Sequence, residues 1–381
     1  MSDPKCIQYL RDYIAIPSVN PMYRTDIPAE IVGEARYANH LREQLRGIGL
    51  DGELIGDPDR PSILAEATVT GADETIAVAS HLDTVPVDGM EIDPFEPRLQ
   101  DGRVYGRGSC DTKSGMAALI AALEQVLASG TLRRNLVVIG QADEELRSSG
   151  AHAVLRHLDE RPPDWILVTE PTNLRLVTRH KGVAHLRLVA HGDAGHASDP
   201  SKGRNAIVSL ARAVLALEEL AARLADQRDP EEGAGTLSVG TITGGSSPNI
   251  IPDEASLVVD RRFLLREDPE AVRSEIENLL SAHGLHDVAL DWCRLEKFPL
   301  AIGDNRECVR RAQQALAEVG LPVETESASF GTDAGVFAQH GVPCVVLGPG
   351  SVEQAHSPHE WVLTSQVEKM TDLLVRILES G

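Results

Sequence analysis

Six side chains that can bind a metal or move a proton stand in short turns directly after apolar runs: His81, Asp111, Glu144 with Glu145, Glu170 and His356. Three carboxylates and two imidazoles are what two adjacent divalent zinc ions need, and one carboxylate is left over to act as a base. The pattern therefore predicts one metal site assembled from distant parts of the chain.

Each segment suggests its own role. In ASHLDTVP, His81 and Asp83 are two apart at a strand end, so both project from the same face and Asp83 can orient His81 through its other ring nitrogen. In GRGSCDTKSGMAALI, Asp111 lies among Gly106, Gly108 and Gly115, which are costly in ordered structure unless a tight turn or a close approach requires them. A carboxylate held there can bridge two cations, with Cys110 packed beside it. In LVVIGQADEELRSSG a strand delivers two adjacent glutamates that point in different directions: Glu145 is expected to bind metal and Glu144 to take a proton from water. ILVTEPTN ends a strand at Glu170 before Pro171, and QAHSPHEW supplies His356 after a glycine-rich turn. Two divalent ions are balanced in charge by Asp111, Glu145, Glu170 and one hydroxide, as burial of charge demands. Taken singly, each segment has another reading. His81 could be a surface histidine beside a turn-capping Asp83, Asp111 or Thr112 could N-cap the following helix, and the two glutamates could open a solvated helix. Zinc, cobalt and manganese all suit such an oxygen-rich, two-histidine site.

The elements that must position these groups alternate. Amphipathic stretches near 29–47, 112–129 and 147–160 separate apolar runs at 75–80, 135–140 and 164–169, which predicts an α/β sheet with helices on both faces and functional residues at strand ends. From about 180 the character changes to strand (183–190), helix (203–224), strands (236–243 and 255–263), a helix N-capped by Asp268 with Pro269 at its first position, and strand (286–292). That order is ferredoxin-like and predicts an inserted α+β domain over 180–294. The α/β pattern then resumes with a helix near 304–319, a strand at 343–347 and a helix near 365–379. The catalytic domain is thus expected over 1–179 and 295–381. The segment 225–235 reads as a charged loop.

Bulk properties set limits. The 381 residues and 42% apolar content fit two globular domains, and 36 basic against 58 acidic residues, net −22, disfavour nucleic acid and anionic membranes as partners. No run approaches the roughly 18 apolar residues of a membrane span, and the start, MSDPKC, lacks the pattern of a leader. Five widely spaced cysteines indicate neither a disulfide framework nor a thiolate metal site, so a cytoplasmic location is expected.

The segments SHLDTVP, DPFEP, GRGSCDTKSG, ADEE, EPT, HKGVAHLRLVAHG, GHASDP, PNIIPD, DRR, GTDAGVF and LGPGSVEQAHSPHE together resemble, in this order over nearly the whole chain, a two-zinc peptidase and deacylase family. Its members include acetylornithine deacetylase, succinyl-diaminopimelate desuccinylase, aminoacylase and glutamate carboxypeptidase. The resemblance implies a zinc-peptidase-like catalytic domain holding two metals through His81, bridging Asp111, Glu145, Glu170 and His356, with Glu144 as general acid and base. It implies that the inserted domain is a lid and dimerisation domain, making the protein a homodimer. It also implies that His196 steadies the tetrahedral intermediate, commonly in the partner's active site. It assigns Asn249 and Arg262 to substrate contact, Arg262 gripping a carboxylate, for which a planar guanidinium is suited. An exposed strand arginine beside Asp260 is the competing reading of Arg262, and Lys113 is a further candidate near the metals.

The expected reaction is hydrolysis of an amide in an N-acyl amino acid or short peptide, with acetylornithine-like deacylation favoured by the segment LGPGSVEQAHSPHEW. GTDAGVF lacks the arginine that desuccinylases tend to carry after the Asp-Ala pair. Two departures from acetylornithine enzymes are Asp333, where glutamate is frequent, and His359, where aspartate is usual. Desuccinylase, aminoacylase and dipeptidase or carboxypeptidase activity are the alternatives within the class; a non-catalytic ligand-binding or regulatory protein on the same fold is the alternative outside it.

Overall fold

The computed structural model describes residues 3–380; positions 1, 2 and 381 of the expected catalytic domain lie outside the described residues. The chain divides into two compact units. The first runs through Thr178, resumes over Ile302–Glu326 and continues from Thr332; the second is Arg179–Ala301 with Ser327–Gly331.

The first unit is built on a mixed sheet. Strands Asn135–Gln141, Thr75–His81, Trp165–Val168 and Cys344–Val346 lie side by side and parallel. Arg60–Ala67 pairs antiparallel with Asn135–Gln141, and Gly52–Asp57 forms a hairpin with Arg60–Ala67. The four parallel strands are buried almost throughout, which requires helices on both faces. Helix Lys113–Ser129 packs on Thr75–His81, and Ala35–Gly47 packs on the hairpin. Because these strands run the same way, their C-terminal ends share one edge of the sheet, and His81, Glu144, Glu145 and Glu170 all lie there.

Several elements differ from the sequence reading for local reasons. The hairpin Gly52–Ala67 and helix Lys5–Ile14 are additions to it. The helix expected over 29–47 begins only at Ala35, because Gly33 adopts φ +84° and Val32 bridges Val19 instead. Helix Ala206–Asp226 starts where Asn205 accepts a hydrogen bond from Val208 N–H, three residues later than expected at 203.

The second unit has four antiparallel strands, Gly182–His191, Thr236–Gly244, Glu254–Phe263 and Val288–Lys297. In the sheet they are ordered second, third, first, fourth, with helices Ala206–Asp226 and Pro269–Ala282 between them in sequence. This is the ferredoxin-like topology. Alternation along Gly182–His191 turns Ala184, Leu186, Leu188 and Ala190 toward the helices, where they meet Leu210, Leu217, Ile276 and Leu280. The last strand continues past residue 294 to pair Lys297 with Val183, so the unit reaches further along the chain than 180–294. Among the described residues no helix is long and apolar enough to cross a membrane.

Candidate metal centre

His81 closes its strand in a buried position, and its Nε2 lies 2.9 Å from Oδ1 of Asp111. The other oxygen of Asp111, Oδ2, lies 3.1 Å from Nε2 of His356, and that same nitrogen is 3.3 Å from Oε2 of Glu145. One carboxylate thus faces two imidazoles, and His81, Asp111 and Glu145 bring ligand atoms within 4.8 Å of one another. Glu170, buried two residues past the end of strand Trp165–Val168, acts on His81 electrostatically.

The turn carrying Asp111 is fixed from below. Cys110 N–H and Asp111 N–H donate to Oε1 of buried Glu360 at 2.9 and 3.1 Å, while Arg107 Nη1 donates to Oε2 at 2.5 Å. No side chain caps helix Lys113–Ser129 at Thr112, and the carboxylate of Asp111 is turned to the histidines. A Cβ on Gly115 would stand 2.1 Å from Oγ1 of Thr169, so only glycine lets this helix approach the residue before Glu170. Cys110 is buried, and its thiol donates to the Ser351 carbonyl.

Asp83 does more than orient a histidine. Nδ1 of His81 is 2.8 Å from the backbone carbonyl of Asp83 and 3.6 Å from its carboxylate. The carboxylate itself accepts the backbone N–H groups of Glu144 and Glu145 at 3.0 and 3.1 Å. It therefore ties the end of one strand to the two glutamates that leave the next.

Electrostatics favour a cation here. Burial opposes an imidazolium at His81, but Asp111, Asp83 and Glu170 outweigh it and raise its pKa well above the ordinary value. Burial is likewise outweighed at His356, where Glu145 and Asp111 push the pKa up to about 11. Asp111 is raised by burial and lowered more by His356 and His81, ending below the usual carboxylate range. Glu145 Oε1 is buried with no hydrogen-bond partner among the described residues, a costly state for a carboxylate oxygen unless a cation meets it. Imidazole nitrogens and carboxylate oxygens are the donors that divalent zinc, cobalt or manganese accept, so the residues fit such ions.

Of the remaining sequence-derived residues, His196, Asn249 and Arg262 lie in the second unit. His196 sits on the short pair Gly195–His196 with Ile250–Ile251, its side chain exposed and Nδ1 2.7 Å from Ser198 Oγ. Asn249 is brought beside it, since Ala197 N–H donates to the Asn249 carbonyl at 3.0 Å. Arg262 forms a two-pronged pair with Asp260 at 2.8 and 3.0 Å on the outward face of its strand. Neighbouring Arg261 is fully buried against Glu267 and Glu275. Lys113 departs from its expected role: its ammonium donates to the carbonyls of Tyr13 and Ile16 at 3.0 and 2.7 Å and lies over the Tyr37 ring, which makes it a core staple. His359 pairs with Glu91 at the surface. Sequence reasoning missed Glu360, Arg107, Asn20, Glu34 and Arg60. The signal for two of them was present as a polar residue inside an otherwise apolar or proline-bounded context, Asn20 in IPSVNP and Glu360 in PHEW.

Histidines and carboxylates gathered at one edge of a mixed α/β sheet, in a chain that matches a peptidase family and deacetylase relatives, make this a metal-dependent hydrolase of amide bonds. The chain belongs to peptidase family M20/M25/M40, whose model matches residues 77–380. It is similar to an acetylornithine deacetylase of Erwinia tasmaniensis, 32% identical over 98% of this chain and 97% of the relative, and to one of Proteus mirabilis, 30% identical over 99% and 97%. Among solved structures, an M20 family metallo-carboxypeptidase from Sulfolobus solfataricus superposes with a TM-score of 0.81 over 100% of this chain and 99% of that one, at 19% identity, a likeness of fold.

Proposed function

We propose that this protein is a dinuclear metallohydrolase that removes the acyl group from an N-acyl amino acid, with N-acetylornithine or a close analogue as substrate. The observation that carries this reading is Asp111, whose two oxygens address two histidines and so suit a carboxylate shared by two cations. His81, Asp111 and Glu170 would hold one cation and Asp111, Glu145 and His356 the other, zinc being the first choice and cobalt or manganese the alternatives. Bound there, the cations would polarise the amide carbonyl and lower the pKa of water from near 16 toward ~7.

Glu144 is the general base in this reading. Its neighbour Glu145 is engaged with His356, which leaves the proton to Glu144, whose backbone N–H is docked on Asp83. It takes the proton of the attacking water and returns it to the leaving amine. His196 steadies the developing oxyanion, a contact worth about 2.7–4 kcal/mol in other enzymes. Arg262 exchanges Asp260 for the substrate carboxylate, and Asn249 contacts the substrate beside His196.

The second unit serves as lid and dimerisation domain. Exposed Ile207, Val208 and Leu215 on helix Ala206–Asp226 and Ile242 on edge strand Thr236–Gly244 offer an apolar surface that a second copy would cover. A small soluble substrate and a cytoplasmic location complete the reading. The test is metal analysis together with hydrolysis of acetyl, succinyl and dipeptide derivatives of basic, acidic and apolar amino acids. Acetyl derivatives of basic amino acids are expected to turn over fastest; faster release from succinyl derivatives would move the assignment to a desuccinylase.

A further inference from the structure

The two glutamates at the site leave the sheet through a backbone that is held in an unusual conformation by buried polar groups. Asp143 adopts φ +60°, the left-handed region that few residues other than glycine occupy. Such outliers persist where surroundings over-determine them, and they cluster at functional sites. Here the surroundings are a network of three buried carboxylates, Glu34, Asp83 and Asp143. Arg60 donates to Glu34 at 2.9 and 2.5 Å and to Asp143 at 2.8 Å, and Glu34 accepts the Asp143 N–H at 3.1 Å. Burial, followed by the nearby charge of Asp83, pushes the Glu34 pKa up to about 7.

Asn20 completes this network. Its Nδ2 donates one hydrogen to Asp83 Oδ2 at 2.8 Å and the other to Asp143 Oδ1 at 3.0 Å. Its Oδ1 accepts Met22 N–H at 3.1 Å, and its backbone N–H donates to the Thr84 carbonyl at 2.8 Å. The amide orientation follows from its partners, because a flipped carboxamide would turn its oxygen toward two carboxylates. A neutral side chain with two donors is what joins two like-charged groups in the interior, where a second cation would need its own desolvation.

We propose that Asn20 is a positioning residue for Glu144 and Glu145: by tying Asp83 to Asp143 it keeps both glutamate N–H groups docked on the Asp83 carboxylate and so fixes where the two side chains point. The consequence for catalysis rests on the functional reading above, whereas the docking itself does not. A misplacement of about 1 Å at a reacting group can cost on the order of 10²-fold in rate.

The test compares the full-length protein as purified with Asn20→Ala, which removes both donors, and Asn20→Ser, which keeps one. Hydrogen–deuterium exchange of the peptide spanning 142–146 is read with and without metal, beside kcat, KM, metal content and Tm. In Asn20→Ala that peptide should exchange at least about tenfold faster while strand peptides elsewhere stay unchanged. At saturating metal turnover should fall ~10²-fold with KM within about threefold, metal should bind more weakly because Glu145 is loosened, and Asn20→Ser should lie between. Wild-type protection of 142–146 in folded Asn20→Ala would overturn the proposal. So would a loss of protection and Tm spread over the whole protein, or turnover that returns to the wild-type value once metal is saturating. If Asn20→Ala does not fold, Asn20→Ser decides by the same criteria. Absence of hydrolysis by the wild-type protein would count against the functional reading and leave the exchange measurement to decide the role of Asn20.

Discussion

His81 and Asp111 stand thirty residues apart in the chain, yet Nε2 of the first lies 2.9 Å from Oδ1 of the second. The contact exists because a parallel strand and the turn before a glycine-containing helix end at the same edge of the sheet. Asp111 spends its other oxygen on His356, so its charge is the common element of the centre. Asp111→Asn should therefore weaken binding of both metals by more than the ~10–100-fold typical of removing an outer partner. Competition with a chelator measures this; affinity within about threefold of wild type would contradict the bridging role.

Gly115 offers a prediction about stability. With a Cβ 2.1 Å from Thr169 Oγ1, Gly115→Ala must displace either the helix or the residue that precedes Glu170. Overpacking of this kind costs roughly 1–3 kcal/mol. A lowered Tm together with weakened metal binding is expected, whereas Gly130→Ala, where a Cβ meets nothing within 4 Å among the described residues but φ is +66°, should lower Tm and leave metal binding intact.

His185 gives the second unit a pH dependence. Hydrogen bonds to Asp260, and then to Glu296, raise its pKa to about 9 despite burial. A pKa raised on folding contributes stability that is fully present below the unfolded value, near ~6.5, and lost as pH rises through the folded one. The Tm difference between wild type and His185→Gln should thus be largest at pH 6 and narrow by pH 9.5. A difference that grows with pH would contradict the assignment.

If His196 acts in the partner's site, two inactive variants should rescue each other. Mixed in equal amounts after dissociation, His196→Ala and Glu144→Gln should recover about a quarter of wild-type activity, because half the dimers carry one complete site. Recovery near zero, with mixed dimers shown by mass, would place His196 in its own subunit's site or outside catalysis.

The sequence carried more of this centre than of its support. Strand ends were legible because an apolar run that breaks at a turn on Glu or His marks a buried strand delivering a polar group to the sheet edge, and the ferredoxin-like order was readable from alternation against helical spacing. The start of the second helix was not, since the conformation of Gly33 is set by a bridge between Val19 and Val32 that no local pattern announces. Asp83 was read as a partner of His81, but its carboxylate reaches backbone N–H groups sixty-odd residues away, and main-chain donors leave no mark in a sequence. Arg262 shows the converse. Its type suits a carboxylate, and the carboxylate it meets is Asp260 of its own strand.

In the proposed mechanism Glu144 moves the proton while its neighbour Glu145 holds metal. Parallel measurement of bound metal, KM and kcat on an acetylated basic amino acid, for wild type and Glu144→Gln, tests it most directly. Metal content and KM close to wild type with kcat lowered by ~10²–10⁴ or more is the expected result, in keeping with the usual weight of a general base. Substantial residual turnover in Glu144→Gln, or a loss of metal that accounts for the loss of turnover, would contradict it.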